Sequence, residues 1–305
     1  MSENGMPTHD REPTERGSSR SSWPSNTPAP ETRRNAFRCY LLDVDPDLAG
    51  EFDLRMRVVA RQSSAVTAFE VEAGICDPTA WLARRSSVAG LLLIEGVIAI
   101  DMAVGGRSTT ELVGAGDLLQ LWERDAEELL ERDVCWQALS PARLAVLDVA
   151  FVERVRGWPQ ITQALLRRAG KRAQNLDLQR TICSHPRLEV RLALLLWHLA
   201  ARWGRVERGG IRLTLPLTHR LLGRLVSAER PSVSHALARL ENAGLVTGGG
   251  GEWHLCGTPE QHLAQLMPSE VELATEPNGG GRDGMAHAVA PNGAARTRAR
   301  RAARI

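Results

Sequence analysis

The sequence predicts an α+β chain: an N-terminal antiparallel β-roll of the cupin-like jelly-roll type, a long helix, and a C-terminal winged helix-turn-helix. Three observations predict it. Short apolar runs separated by turn residues fill residues 37–152. The periodicity turns helical after Pro159, and within 186–258 two short helices are followed by strand, glycine turn and strand. The charges divide along the same line. Residues 37–150 hold 10 arginines against 19 carboxylates, a balance of −9, whereas residues 154–241 hold 17 Lys and Arg against 5 carboxylates, a balance of +12. Clustered basic charge is the footprint of a polyanion binder, although a solvated helix face reads similarly.

Residues 1–36 are rich in Ser, Pro, Thr, Glu and Arg, with Trp23 their one large apolar group, so they are expected to be a disordered tail. Strand candidates follow at Val58-Val59, Ala65–Val71, Val88–Ile94, Val97–Val104, Glu111–Val113, Leu118–Leu121 and Leu144–Val149. Gly105-Gly106 supplies the positive φ angles of a two-residue hairpin, and Gly114-Ala115-Gly116-Asp117 reads as a second tight turn. Residues 153–185 are the linker helix. Ile161, Leu165, Ala169, Leu176 and Cys183 recur near a 3.5 spacing, which suits pairing with a second copy, though Arg172 and Gln179 interrupt the seam. Pro186 ends that helix, and Leu188–Trp203 is apolar around most of its circumference, hence a buried helix.

The segment Leu217–Val246 carries the chemistry. Thr218 is an N-cap for a short helix bearing Leu221, Leu222 and Leu225 inward, and Ser227-Ala228-Glu229 forms the turn. Pro231 stands at the start of the next helix, where its missing N–H costs nothing, and Gly244 falls at its end. Val233, Ala236, Leu237 and Leu240 make the inner stripe. His235, Ala238 and Asn242 then point outward, with Ser232, Ser234 and Arg239 on the flanks. Arg230 leads the helix into a groove, and a guanidinium matches guanine O6 and N7 bidentately. Thr218, His219, Ser227, Ser232, Ser234, His235, Arg239 and the wing residue Gly249 complete the candidate DNA-binding set. Two amphipathic helices in some other all-α domain are the bland alternative.

Thr218–Val246, with Arg230-Pro231-Ser232-Val233-Ser234 and Leu237-Ala238-Arg239-Leu240-Glu241, resembles the winged helix of the Crp/Fnr family of bacterial transcription regulators. Gly96–Leu119 resembles that family's cyclic-nucleotide-binding-like sensory roll, including the Gly116-Asp117 turn. The resemblance covers roughly residues 40–258. It implies a homodimer on an inverted-repeat operator of double-stranded DNA, a roll that answers to an effector, and contact with RNA polymerase when activating. By the same resemblance, Gly116, Asp117, Gln120, Arg132 and Asp133 occupy effector-binding positions.

Two departures matter. Glu229 and Ser227 stand where the family usually has serine and glycine, which bears on the target sequence. The Gly-Glu pair that holds ribose is Gln120 and Leu121 here, and Arg132 is followed by Asp133, whose charge opposes a phosphate. The roll is therefore expected not to bind cAMP or cGMP, and its effector is an unidentified small molecule or protein. An effector-independent DNA-binding scaffold, its roll serving a protein partner, is the alternative.

Other classes fare worse. No Gly-x-Ser-x-Gly, His-Glu-x-x-His, phosphate-loop or dinucleotide fingerprint occurs, so no enzyme is expected. Gly105-Gly106-Arg107-Ser108 resembles a phosphate cradle but has no helix N-terminus behind it. The five cysteines, Cys39, Cys76, Cys135, Cys183 and Cys256, form no Cys-x-x-Cys pair; free thiols in a reducing cytoplasm are expected, with no metal and no cofactor. A haem ligand at Cys76 or a histidine is set against the commoner core thiol. No secretory signal and no membrane-spanning run is expected. Residues 259–305, ending in Arg296, Arg298, Arg300, Arg301 and Arg304, are expected to be a mostly disordered tail.

Overall fold

The computed structural model describes residues 35–78, 82, 88–120 and 129–267. The expectations for residues 1–34, for the acidic stretch 121–128 and for the chain beyond 267 lie outside the described residues.

The N-terminal half is a roll of two antiparallel sheets. Strands β1 (Ala36–Tyr40), β2 (Ala65–Val71), β4 (Val88–Glu95), β7 (Leu118–Leu119) and β9 (Ala142–Asp148) form the first, in the order β1-β2-β9-β4-β7. Strands β3 (Gly74–Cys76), β5 (Val97–Val104), β6 (Arg107–Gly114) and β8 (Asp133–Ala138) form the second, in the order β3-β8-β5-β6. The β5–β6 hairpin turns through Gly105 and Gly106 at φ 56° and 77°, between the register pair Val104 and Arg107. Two positive φ angles in succession suit the right-handed strand twist and are open to glycine at no steric cost.

Side chains alternate across each strand, and on the central strands β4, β5 and β9 both faces are buried. Leu91, Leu93, Leu144 and Val146 of the first sheet meet Ile98, Ile100, Val113 and Trp136 of the second inside the roll. Leu92, Ala145 and Leu147 point the other way, into a core with α1 (Leu41–Val44), α3 (Val149–Val155) and the start of α4 (Pro159–Ser184). On the second sheet, Val97, Ala99 and Leu112 point outward into the core of the C-terminal half. Burial on both sides explains why Leu91–Ile94 and Val97–Ile100 read as unbroken apolar runs.

Val58 and Val59, expected in a strand, lie in the helix α2 (Leu54–Ser63) and are exposed. Asp53 caps that helix by accepting from the Met56 N–H, a local signal that outweighs the β preference of a valine pair. The expected seam of α4 is also corrected. Ile161 and Leu165 are buried against this chain's own roll, and further along Ile182 and much of Cys183 are buried against its C-terminal half. The stripe left exposed is Thr162, Leu166, Ala169, Ala173, Leu176 and Arg180, spaced alternately four and three.

The C-terminal half comprises α5 (Leu188–Trp203), the hairpin β10 (Gly204–Glu207) and β11 (Gly210–Thr214), α6 (His219–Val226), α7 (Arg230–Asn242), the wing strands β12 (Val246–Gly249) and β13 (Glu252–Cys256), and α8 (Pro259–Leu266). Its sheet order is β10-β11-β13-β12. Residues 259–266, expected within a disordered tail, form a helix. Thr258 and Gln261 make a reciprocal capping box, and Leu266 is buried. His262 is 1% exposed; its Nδ1 accepts from Trp197 Nε1 at 3.1 Å and its Nε2 donates to the Cys256 carbonyl at 2.6 Å, so it is a fully bonded core histidine.

Candidate nucleic-acid interface

The two helices of residues 219–242 take their places from local chemistry. Thr218 Oγ1 accepts from the Leu221 N–H at 3.2 Å and starts α6, whose inner face buries Leu221, Leu222, Leu225 and Val226. The turn that follows is built on Ser227 in the left-handed region (φ 56°, ψ 50°), the one positive φ among the described non-glycine residues. Gly223 sits beneath it: a Cβ there would stand 2.5 Å from the Ala228 carbonyl oxygen, so only glycine lets the turn close onto α6. That requirement was legible as a glycine in the middle of an amphipathic helix. Pro231 occupies the first turn of α7, and Gly244, at φ 69°, ends it.

Helix α7 buries Val233, Ala236, Leu237 and Leu240 and exposes Arg230, Ser232, His235, Ala238, Arg239 and Asn242. At its N-terminus a chain of hydrogen bonds links the two helices. The Ser234 hydroxyl donates to the Arg230 carbonyl at 3.1 Å, and His219 Nδ1 lies 2.8 Å from Ser234 Oγ. Because the hydroxyl proton is used, the imidazole donates through Nδ1, and its Nε2 is left for another partner. Thr218, His219, Ser234 and Arg230 are therefore brought together. Ser227, Ser232, His235 and Arg239 line a separate polar cleft against the first turn of α5, together with Arg187, Glu189 and Arg191. Gly249 lies exposed in β12.

Arg239 is engaged within the protein. Its Nη1 is 2.7 Å from Glu189 Oε1, tying α7 to the start of α5, with Glu189 only 11% exposed and Arg239 69%. Arg191 donates to the Val226 carbonyl at 2.9 Å and so closes the end of α6. Arg187 and Arg191 carry positive charge beside α7 that the spacing of motif residues did not single out.

The candidate effector residues are differently placed. Gly116, at φ 88°, turns the chain so that the Asp117 carboxylate accepts from the Gly114 N–H at 2.9 Å. That carboxylate is then held by Arg202 of α5 at 2.7 Å. The Gly116 carbonyl accepts from Arg168 of α4 at 3.0 Å, while the other arm of Arg168 lies 2.6 Å from Asp45. Burial nevertheless outweighs Arg168 and holds the Asp45 carboxyl above its usual range. One turn along, Arg172 grips both Glu111 oxygens at 2.8 Å; burial works against its charge, but Glu111 more than offsets this. The seam between long helix and roll is thus occupied by two of the protein's own guanidinium groups. Gln120 is exposed, Asp133 opens β8 opposite Ala103, and Arg132 is half-buried. Inside the roll, Trp136, Leu91, Leu119 and Ile98 are buried. Cys76 is buried there too, its thiol pushed up to about 11 by burial, the character of a core thiol.

No group of three or more His, Cys, Asp or Glu able to hold a metal occurs among the described residues, and none of their helices is long and apolar enough to cross a membrane.

Comparison with known proteins agrees with this geometry. Residues 190–258 match the family of the Crp-like helix-turn-helix domain. A cyclic nucleotide-binding domain containing protein from Listeria monocytogenes has a similar fold, at 14% identity and a TM-score of 0.53, over 63% of this chain and 89% of that one. A CooA mutant from Carboxydothermus hydrogenoformans matches at 16% identity and a TM-score of 0.49, over 64% of this chain and 85% of that one. The c-di-GMP responsive regulator CLP of Xanthomonas campestris matches at 18% identity and 0.49, over 66% and 98%. No curated protein matches the chain. With a Crp-like helix-turn-helix domain at residues 190–258 behind a β-roll and a long helix, the chain is a DNA-binding transcription regulator.

Proposed function

We propose that this regulator binds an inverted-repeat operator as a homodimer, with Arg230 entering the major groove first. The observation that carries the reading is the exposed N-terminal half of α7. Arg230, Ser232 and His235 are free of the core, on a helix whose other face is fully buried. Thr218, its oxygen already used as a cap, retains a hydroxyl proton for a phosphate, and His219 presents Nε2. The exposed Thr162–Leu166–Ala169–Ala173–Leu176–Arg180 stripe of α4 supports pairing with a second copy along that helix, since its alternating spacing of four and three is the coiled-coil repeat.

The roll is read as insensitive to cyclic nucleotides. Arg168 and Arg172 fill its seam with α4, and Asp117 is already paired. An effector-independent roll is favoured by the same crowding, because the interior between the sheets is lined by large buried side chains. Calorimetric titration with cAMP and cGMP tests this part; micromolar binding of either would overturn it.

DNA reading is tested by selecting bound fragments from random duplex DNA and repeating the gel shifts with Arg230→Ala. Loss of sequence preference, worth about 1–3 kcal/mol for a bidentate base contact, is expected. Unchanged preference would show that Arg230 is not the reader.

A further inference from the structure

The outer face of the β5–β6 hairpin carries a carboxylate in an otherwise apolar row. Val97, Ala99 and Asp101 share that face of β5, opposite Gly114, Leu112 and Thr110 of β6. Asp101 is 2% exposed and Thr110 1% exposed. Such burial costs several kcal/mol unless the charge is paired and hydrogen-bonded. Both conditions are met, and by different parts of the molecule. The Thr110 hydroxyl donates to Oδ1 from across the hairpin, and Arg224 Nη1 of α6 lies 3.0 Å from Oδ2. Beside them, the Gln179 side-chain amide of α4 donates both to the Thr110 carbonyl, at 2.8 Å, and to the Leu225 carbonyl, at 3.1 Å. Roll, long helix and the first helix of the reading head therefore meet at one point through directional bonds.

Apolar packing surrounds the junction. Val97, Ala99 and Leu112 share a core with Leu221, Leu222 and Leu225, and a Cβ on Gly114 would stand 2.7 Å from the Trp203 ring. Apolar contact alone tolerates sliding and rotation, whereas a buried ion pair and a doubly bonded amide admit one register. Arg224 sits in the last turn of α6, while Thr218 and His219 are at its other end. Docking thus leaves Arg230, Ser232 and His235 exposed and determines only where they point relative to α4.

We propose that Asp101, Thr110, Gln179 and Arg224 form a latch that sets the orientation of the reading head on the long helix, and thereby the half-site spacing that the dimer accepts. This rests on the dimeric, inverted-repeat reading above. Half-sites one helical turn apart lie roughly 34–36 Å apart. Once one head is bound, the second binds intramolecularly, at an effective concentration that is high only if its orientation suits that spacing. A rigid latch concentrates that advantage on one spacing. A loosened head spreads it over several. The four residues are positioning residues and touch no base.

The test uses the full-length protein and the DNA selected by the wild type. Binding to the paired site, to versions with one or two base pairs inserted, and to a single half-site is measured for Asp101→Asn, Arg224→Met, the double variant and Gln179→Ala. The double variant leaves no unpaired charge, and Gln179→Ala buries none, so at least these two are expected to melt close to the wild type. Single half-site affinity is expected to stay within about twofold, affinity for the paired site to fall about tenfold, and the penalty for inserted base pairs to shrink, as lost preorganisation requires. Folded variants that keep the wild-type ratio of paired to single-site affinity and the wild-type spacing preference would overturn the proposal. A wild type that selects only single half-sites would instead remove the dimeric reading.

Discussion

Removing either partner of the Glu189–Arg239 pair should have unequal consequences, and the inequality follows from exposure. Glu189 is 11% exposed and Arg239 is 69% exposed, with 2.7 Å between them. Arg239→Ala leaves a nearly buried carboxylate without its counter-ion. Stripping a fully buried pair in this way costs about 3–5 kcal/mol, and an exposed pair contributes about 0–1 kcal/mol. Glu189 lies in the first turn of α5, where the helix dipole favours an anion by about 0.3–1 kcal/mol. The net expectation for Arg239→Ala is therefore about 1.5–2 kcal/mol of lost stability. Glu189→Ala leaves a guanidinium that already reaches water and also removes a desolvated charge, so its cost should stay under about 1 kcal/mol. Urea unfolding of the two single variants and the double variant gives both the order and the coupling energy, expected near 1 kcal/mol. Equal losses, or a coupling near zero, would refute the argument. In that case Arg239 serves only the DNA phosphates, and its removal lowers the salt slope of binding by about one instead.

Two further outcomes follow from local geometry. Ser227→Gly should stabilise the protein by about 0.5 kcal/mol: relief of the left-handed backbone is worth about 1–2 kcal/mol, and the greater freedom of glycine in the unfolded chain returns about 0.5–1 kcal/mol. Thermal unfolding should show a midpoint raised by about 1–2 °C, whereas Ser227→Val should lower it. Burial, then the nearby Arg202 charge, push the His198 imidazole below its ordinary value, so the folded state resists a proton that the unfolded chain accepts near pH 6.5. Its contribution to stability is full above that pH and is lost as the pH falls towards the depressed folded value. Unfolding free energies at pH 7.5 and 5.5 should therefore differ less in His198→Leu than in the wild type; an unchanged difference would count against it.

Much of the candidate interface was legible in residue order alone. Cap, turn, inner stripe and terminating glycine of residues 218–244 are set by interactions within about five positions, which no distant contact has to supply. The roll was legible as a kind of structure, because runs such as Val97–Ile100 and the Gly105-Gly106 turn carry their strand character locally. Val58-Val59 misled because a valine pair favours strands, while the Asp53 cap one turn earlier decided for helix.

What only the tertiary structure decided are the pairings between charges far apart in sequence. Arg239 looked like a DNA contact and is tied to Glu189, 50 positions away; Asp117 looked like a ligand residue and is held by Arg202. The heptad-like spacing of α4 did not say which of its residues stay exposed, since a helix with apolar residues on two sides exposes whichever one the roll does not cover. Sequence by itself determined that this chain folds as a roll, a long helix and a winged helix-turn-helix whose second helix starts at Arg230. How that head is latched to the roll through Asp101 and Arg224 was settled by tertiary packing, because a charge's partner is chosen by proximity in the fold and not by spacing along the chain.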